Sequence, residues 1–268
     1  MSAPAAPWIA LAAVAILTGS AARGQEPTVG DVVSVTVRDG VTRSDELHIA
    51  MRPEAALEAL RGVLDHQPER FDALWRAARE TVNLGMLSED RDTARRWYED
   101  AVAYATRAVE LEPDSAVAHQ WYAIALGRKA LSRSPGERVD LSVQVRAAAR
   151  RAIDLDDASA GAHNVLGQWH AEIQRLSGLT RFVAERLLGG ATFREASWDA
   201  AELHLRKAID LEPNALVHRV ALARVYLDLE QVAEARAELE RALGLPDAAP
   251  TDPVTRREAA SLLREIGP

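Results

Sequence analysis

Histidine is the residue in this chain best placed to do chemistry. There are seven. His163 and His170 stand seven apart, which puts them on one face if the segment is helical. Zinc would need a third and a fourth ligand, usually with histidines four apart on a helix. Glu172 is near in sequence but points elsewhere on such a helix. His119 and His163 occupy equivalent places in two similar segments, which fits architectural or interfacial roles. The second set is Trp75, Trp97, Trp121, Trp169 and Trp198. Gathered together they would make an aromatic cage for a cation. Each has an apolar neighbour at helical spacing, so they are expected to pack in the core. Asp154, Asp156 and Asp157 fall at a segment boundary, where capping accounts for them. The chain has no G-x-S-x-G, no Walker loop and no dinucleotide fingerprint. It also has no cysteine, which excludes thiolate catalysis and zinc–thiolate sites. No catalytic residue, metal site or cofactor is therefore expected.

The elements that must position these residues are helical. Of the 268 residues, 48% are hydrophobic and 5% aromatic, with Ala, Leu, Arg and Glu abundant. The net charge is −8, and all but two of the 32 cationic residues are Arg, the exceptions being Lys129 and Lys207. That skew reads as codon bias, and the acidic balance argues against nucleic acid as a partner. Arg146, Arg150 and Arg151 read as a solvated helix face.

The N-terminal run "WIALAAVAILT" (8–18) is apolar and too short to span a bilayer comfortably. "GSAARGQEP" (19–27) follows it, so residues 1–24 are expected to be a signal peptide. The chain is then exported and periplasmic, in a bacterium. The alternative is a membrane tether formed by an uncleaved N-terminal segment. Residues 25–50 are expected to be a linker, with "DVVSVTVRDGVT" (31–42) forming a short strand or hairpin arm that turns at Asp39-Gly40, or else docking loosely.

From Pro53 onward the period is helical, and one phrase recurs: "RAVELEPD" (107–114), "RAIDLDDA" (151–158), "KAIDLEPN" (207–214) and "RALGLPDA" (241–248). Aligned on Ala108, Ala152, Ala208 and Ala242, the copies are 44, 56 and 34 residues apart. A phrase that ends one helix and opens the next marks a helical repeat. In the last copy, Leu222, Ala223 and Tyr226 share one face, and Ala235, Leu239 and Ala242 share another. These two faces are expected to meet, with Pro213 forcing the turn between pairs. "SRSPGERVD" (132–140) reads as a lengthened turn. "GLTRFVAERLLGGATFREA" (178–196) reads as an extra helix near 178–188, a stop at Gly189-Gly190, and a capping box at Thr192–Glu195 that opens the next helix.

"LARVY" (222–226), "EARAELERAL" (234–243), Leu166-Gly167, Ala201, Leu205, Ala208 and the Pro positions resemble the tetratricopeptide repeat (TPR). The blocks 118–130, 166–173, 181–213 and 242–263 are similar, more narrowly, to the regulator of microtubule dynamics family. The resemblance implies an all-α, TPR-like α-solenoid of antiparallel helix pairs over 51–266, acting as a scaffold and not as an enzyme. The cytoskeletal role linked to some members is not carried over to an exported chain. It also implies a partner groove on the concave face. Carried over residue by residue, that groove is Val117, Gln120, Ile124 and Arg128; Asn164, Gln168 and Glu172; and Val220, Arg224, Leu227 and Asp228. The expected partner is a protein or peptide. The alternative function is a lipid or small-molecule carrier, using an apolar groove closed by the 178–188 helix.

Overall fold

In a computed structural model of the chain, the described residues are 40–176 and 191–267. They are helical and contain no strand. The expected signal peptide, the candidate strand at 31–38 and the helix near 178–188 lie outside them. In order, the helices are α1 (40–49), α2 (Pro53–His66), α3 (Phe71–Leu87), α4 (Arg91–Leu111), α5 (Ala116–Leu131) and α6 (Pro135–Leu155). There follow α7 (Ala160–Arg175), α8 (Ala191–Arg194), α9 (Trp198–Leu211), α10 (Leu216–Asp228), α11 (Val232–Gly244) and α12 (Asp252–Glu265).

Each long helix packs on the next in sequence, α7 pairing with α9 across the insertion. Antiparallel hairpins result because each helix offers one apolar stripe and the connections are short. Leu222, Tyr226 and Leu239 are all buried, at 2%, 3% and 0% exposure, so the predicted faces of α10 and α11 do meet. Burying side chains of this size stabilises the fold by roughly 1.5–3 kcal/mol apiece. No hairpin has a core of its own. Ala123, Leu126, Val145, Leu166 and Phe193 share one cluster across α5, α6, α7 and α8, while Ala171, Leu205, Leu222 and Ala235 share the next across α7, α9, α10 and α11. Neighbours thus shield one another, the defining property of a solenoid.

The recurring phrase has a structural counterpart. His119 Nε2 lies 2.8 Å from the Pro113 carbonyl, and His163 Nε2 lies 3.1 Å from the Asp157 carbonyl. Arg219 Nη2 donates to the Pro213 carbonyl at 3.1 Å. In these three of the four copies a side chain six residues on ties down the same boundary carbonyl, which the helix end would leave without a partner.

Three local expectations are corrected. First, the part of the 25–50 linker that is described is helix, and Asp39-Gly40 does not open a hairpin arm. Val41, Ser44 and Leu47 recur at helical spacing and are all buried. A Cβ at Gly40 would stand 2.4 Å from Val63 Cγ2, so glycine is what allows α1 to meet α2 closely. Second, 132–140 does not lengthen the turn. Pro135 starts α6, and Glu137 Oε2 accepts from the Ser134 amide (3.2 Å) and hydroxyl (2.6 Å), so the extra residues lengthen the helix. Third, the capping box does not open α9. Glu195 is held instead by Arg146 and Arg150 of α6, and the Ser197 hydroxyl caps α9 by accepting from the Ala200 amide at 3.1 Å.

Candidate functional site

Helices α3, α5, α7, α10 and α12 pack on one another directly as well as on their hairpin partners. Among the described residues, the intervening helices α2, α4, α6, α9 and α11 show no comparable row of contacts. A double row that is tight on one side and splayed on the other must curve, and the tight row lies inside. Helix α1 belongs to the inner row, because Asp45 bonds Arg76 (2.8 Å) and Arg79 (3.0 Å) of α3.

The sequence-predicted groove residues all lie on this inner row. Val117, Gln120, Ile124, Arg128, Gln168 and Glu172 are half-buried, and Arg224 is exposed. Two others lie beneath the surface. Val220 packs in the core with Ala223 and Leu239, and Asn164 is 4% exposed, so neither offers a contact area to a partner. Leu227 also leans on the core.

Polar groups on this face are heavily cross-linked. Asp45 and Arg79 stand 34 residues apart, as do Arg224 and Glu258, whose charged ends meet at 2.6 Å. Opposite charges one repeat apart therefore form rungs between adjacent inner helices. At Asp45 burial opposes ionisation, but the Arg76 and Arg79 hydrogen bonds prevail and hold its carboxyl below the usual range. Further along, Arg175 of α7 bonds Glu172 at 2.6 Å and reaches Asp228 of α10. An amide chain runs alongside. Ser159 donates to Gln120 Oε1 (2.7 Å), Gln168 donates to Asn164 Oδ1, and the Asn164 amide meets His218 Nδ1. His218 Nε2 lies 3.1 Å from Glu212 Oε2, and this bond holds the Glu212 carboxyl below the usual range. His218 thus donates at Nε2 and accepts at Nδ1.

Arg175, Glu258, Asp45 and Arg79 were not singled out from the sequence. Their signal was present: Arg175 is three residues past Glu172, and the other three follow the 34-residue period into α1, α3 and α12.

The histidine cluster has a third member, His204 of α9. His163 and His204 bring their Nδ1 atoms to 2.9 Å, and His170 stacks on His204 at 5.8 Å between centroids. Among the described residues, no group of three His, Asp or Glu side chains is arranged to hold a metal ion. The tryptophans form no cage. Trp169 is buried against Phe193; Trp75 and Trp97 are half-buried against one core cluster, Trp121 against a second and Trp198 against a third. Two surface pockets lie near the ends of the stack, one beside Leu243, Ala260 and Leu263, the other beside Gly40 and Thr42. No described helix is long and apolar enough to cross a membrane.

A curved stack of helical hairpins whose inner row carries the solvent-facing polar rungs defines a TPR-like α-solenoid. Its fold matches a thermophilic TPR protein of Thermus thermophilus with a TM-score of 0.58 and 23% identity, over 85% of this chain and 99% of that one. The sequence profile of the regulator of microtubule dynamics protein 1-3 family matches residues 41–267, and the chain belongs to that family. The chain is 25% identical to mouse regulator of microtubule dynamics protein 3 over 224 residues, 82% of this chain and 47% of the mouse protein. It is 28% identical to the bovine regulator of microtubule dynamics protein 1 over 215 residues, 77% of this chain and 66% of the bovine one. The chain thus spans about half the length of the regulator 3 proteins it matches.

Proposed function

We propose that this protein is a non-enzymatic scaffold that holds an extended segment of a partner protein against its inner face, across α5, α7 and α10. One observation carries this reading. The charge-paired rungs Asp45–Arg79 and Arg224–Glu258 stand toward the two ends of the inner row, and the equivalent positions in the middle are Ile124 and Gln168. An apolar side chain beside amides is a surface that can take a peptide side chain and its backbone together. The leader-like residues 8–24 support export, so the partner would be met outside the cytoplasm. Determining the N-terminal residue of the protein isolated from its native cells tests that part.

The binding face is tested by panning the protein against a random decapeptide display library and mapping bound peptides by hydrogen exchange. Slowed exchange in α5, α7 and α10 is the expected result. Protection confined to the outer helices α4, α6, α9 and α11, or a library with no binders, would overturn the reading.

A further inference from the structure

Among the described residues, four arginines of the inner face are matched to acids. Arg76 and Arg79 share Asp45, Arg175 holds Glu172 and Asp228, and Arg224 holds Glu258. Arg128, near the C-terminus of α5, makes no side-chain hydrogen bond and no ion pair among the described residues. The acid at the equivalent place on α7 is Glu172, and it is already engaged by Arg175. Burial pulls the pKa of the Arg128 guanidinium down, Tyr98 and Glu258 work against that pull, and Arg224 adds to it.

Tyr98 of α4 is the second unmatched donor. Its ring lies against the α3 backbone, where a Cβ on Gly85 would stand 2.3 Å from Cε1. Its hydroxyl has no hydrogen bond among the described residues, burial raises its pKa, and the Arg128 charge acts the other way. Neither donor has a hydrogen-bond acceptor among the described residues.

We propose that Arg128, with the Tyr98 hydroxyl beside it, receives a side-chain carboxylate from an extended acidic segment of the partner. This rests on the inner-face reading above. A guanidinium presents two parallel N–H donors that match the two oxygens of a carboxylate, and a phenol O–H adds a third donor. Partial burial strips water from the site, which strengthens such a pair. A phosphate would carry up to twice the charge and call for several unmatched cations. Arg224, whose charge also reaches Arg128, is already paired with Glu258, so a singly charged acid fits best. Ile124 and Trp121, one and two turns earlier on α5, are half-buried and give the neighbouring side chain an apolar seat.

The probe is a fluorescent decapeptide taken from the panned library. Binders are expected to carry Asp or Glu at one fixed position, and changing that acid to its amide should weaken binding about tenfold or more. Arg128→Gln should weaken the acidic peptide to the level of the amide peptide and leave the amide peptide unchanged. Arg128→Lys should restore only part of the affinity, because an ammonium keeps the charge and loses the fork. Tyr98→Phe should cause a smaller loss. A circular dichroism melt of each variant establishes that it is folded, and Arg128→Lys remains informative if Arg128→Gln is not. Equal affinity of Arg128→Gln and the parent for the acidic peptide would overturn the inference, as would binders with no fixed acid. If exchange protection still falls on α5, α7 and α10 in that event, the inner-face reading survives; if it falls elsewhere, both fail.

Discussion

His163 of α7 and His204 of α9 face each other through their Nδ1 atoms, 2.9 Å apart. His163 Nε2 sits against the Asp157 carbonyl, so its proton is there and its Nδ1 accepts from His204 Nδ1–H. A proton added to His163 would set two N–H groups against each other. His170, stacked on His204, accepts weakly at Nδ1 from the Ser197 amide (3.4 Å). All three rings favour neutrality. Burial, then Arg146 and Arg150, bring His170 down to about 4, with Glu195 opposing. Burial, then His163, His170 and Arg150, bring His204 down to about 4, against Asp157. Burial lowers His163 as well, Lys207 adding to it while Asp157 opposes.

In the unfolded chain these histidines titrate near the ordinary value of about 6.5. Above that pH neither state binds the protons and the cluster is indifferent. As pH falls from about 6.5 toward 4, the unfolded chain binds protons that the folded chain refuses, so stability falls across that window. Thermal melts between pH 7.5 and 4.5 should show a drop in Tm that is clearly smaller in a His170→Gln/His204→Gln double variant. Parallel curves for the two proteins would contradict the assignment.

Gly167 marks a close approach of α7 to α9. A Cβ there would lie 2.7 Å from Leu205 Cγ and 3.0 Å from the Ala201 carbonyl. Backbone cannot move aside cheaply, so Gly167→Ala should destabilise by about 1–3 kcal/mol despite alanine's better helix propensity. Urea titration checks this. An unchanged or raised midpoint would show that the two helices can separate without cost.

Glu230 closes α10 with φ of +59°, a left-handed conformation, while the Gln231 amide bonds the Tyr226 carbonyl at 2.8 Å. That is the place in a helix C-terminus where glycine is preferred. Relief of roughly 1 kcal/mol of strain exceeds the added freedom of the unfolded chain. Glu230→Gly is therefore expected to raise Tm by a few degrees in a calorimetric scan, and a fall in Tm would count against the strain.

Glu80 is fully buried on α3. Arg79 Nε donates to it at 2.6 Å and Asn83 Nδ2 at 3.1 Å, with His48 Nδ1 of α1 at 2.9 Å. Glu80→Ala removes the acceptor of this knot and leaves buried donors without a partner, at a cost of about 3 kcal/mol. Chemical denaturation should show that loss, and proteolysis should reach α1 first. A near-neutral effect would mean that water takes the vacated place.

The stack of hairpins was legible because its signal is local and repeated: Ala108, Ala152, Ala208 and Ala242 with their following boundary residues fix where helices end. The errors came from readings that suit two structures. "SPGE" at 134–137 looks like a turn because it holds Pro and Gly, yet Pro at the first helical position and Glu two residues on are also the start of a helix. Val41, Ser44 and Leu47 follow a β-branched run that hides their helical spacing. The face itself was partly legible. Ile124, Arg128, Gln168 and Arg224 lie on inner-row helices and are not fully buried, whereas burial of Asn164 and Val220 depends on neighbours such as His218 and Leu239. His204 could not be joined to His163 from sequence, since 41 residues and an insertion separate them.

The rungs of opposite charge have a mechanical corollary. Asp45–Arg79 and Arg224–Glu258 brace the outermost joints of the inner row, while the joint between α5 and α7 carries Ile124 and Gln168 at the matching positions. Among the described residues no charged strut spans that joint, so a small rotation there would carry every helix beyond with it. The mouth of the curve would thus meet less charged resistance along its middle than at its two ends, like a pair of tongs with soft inner joints.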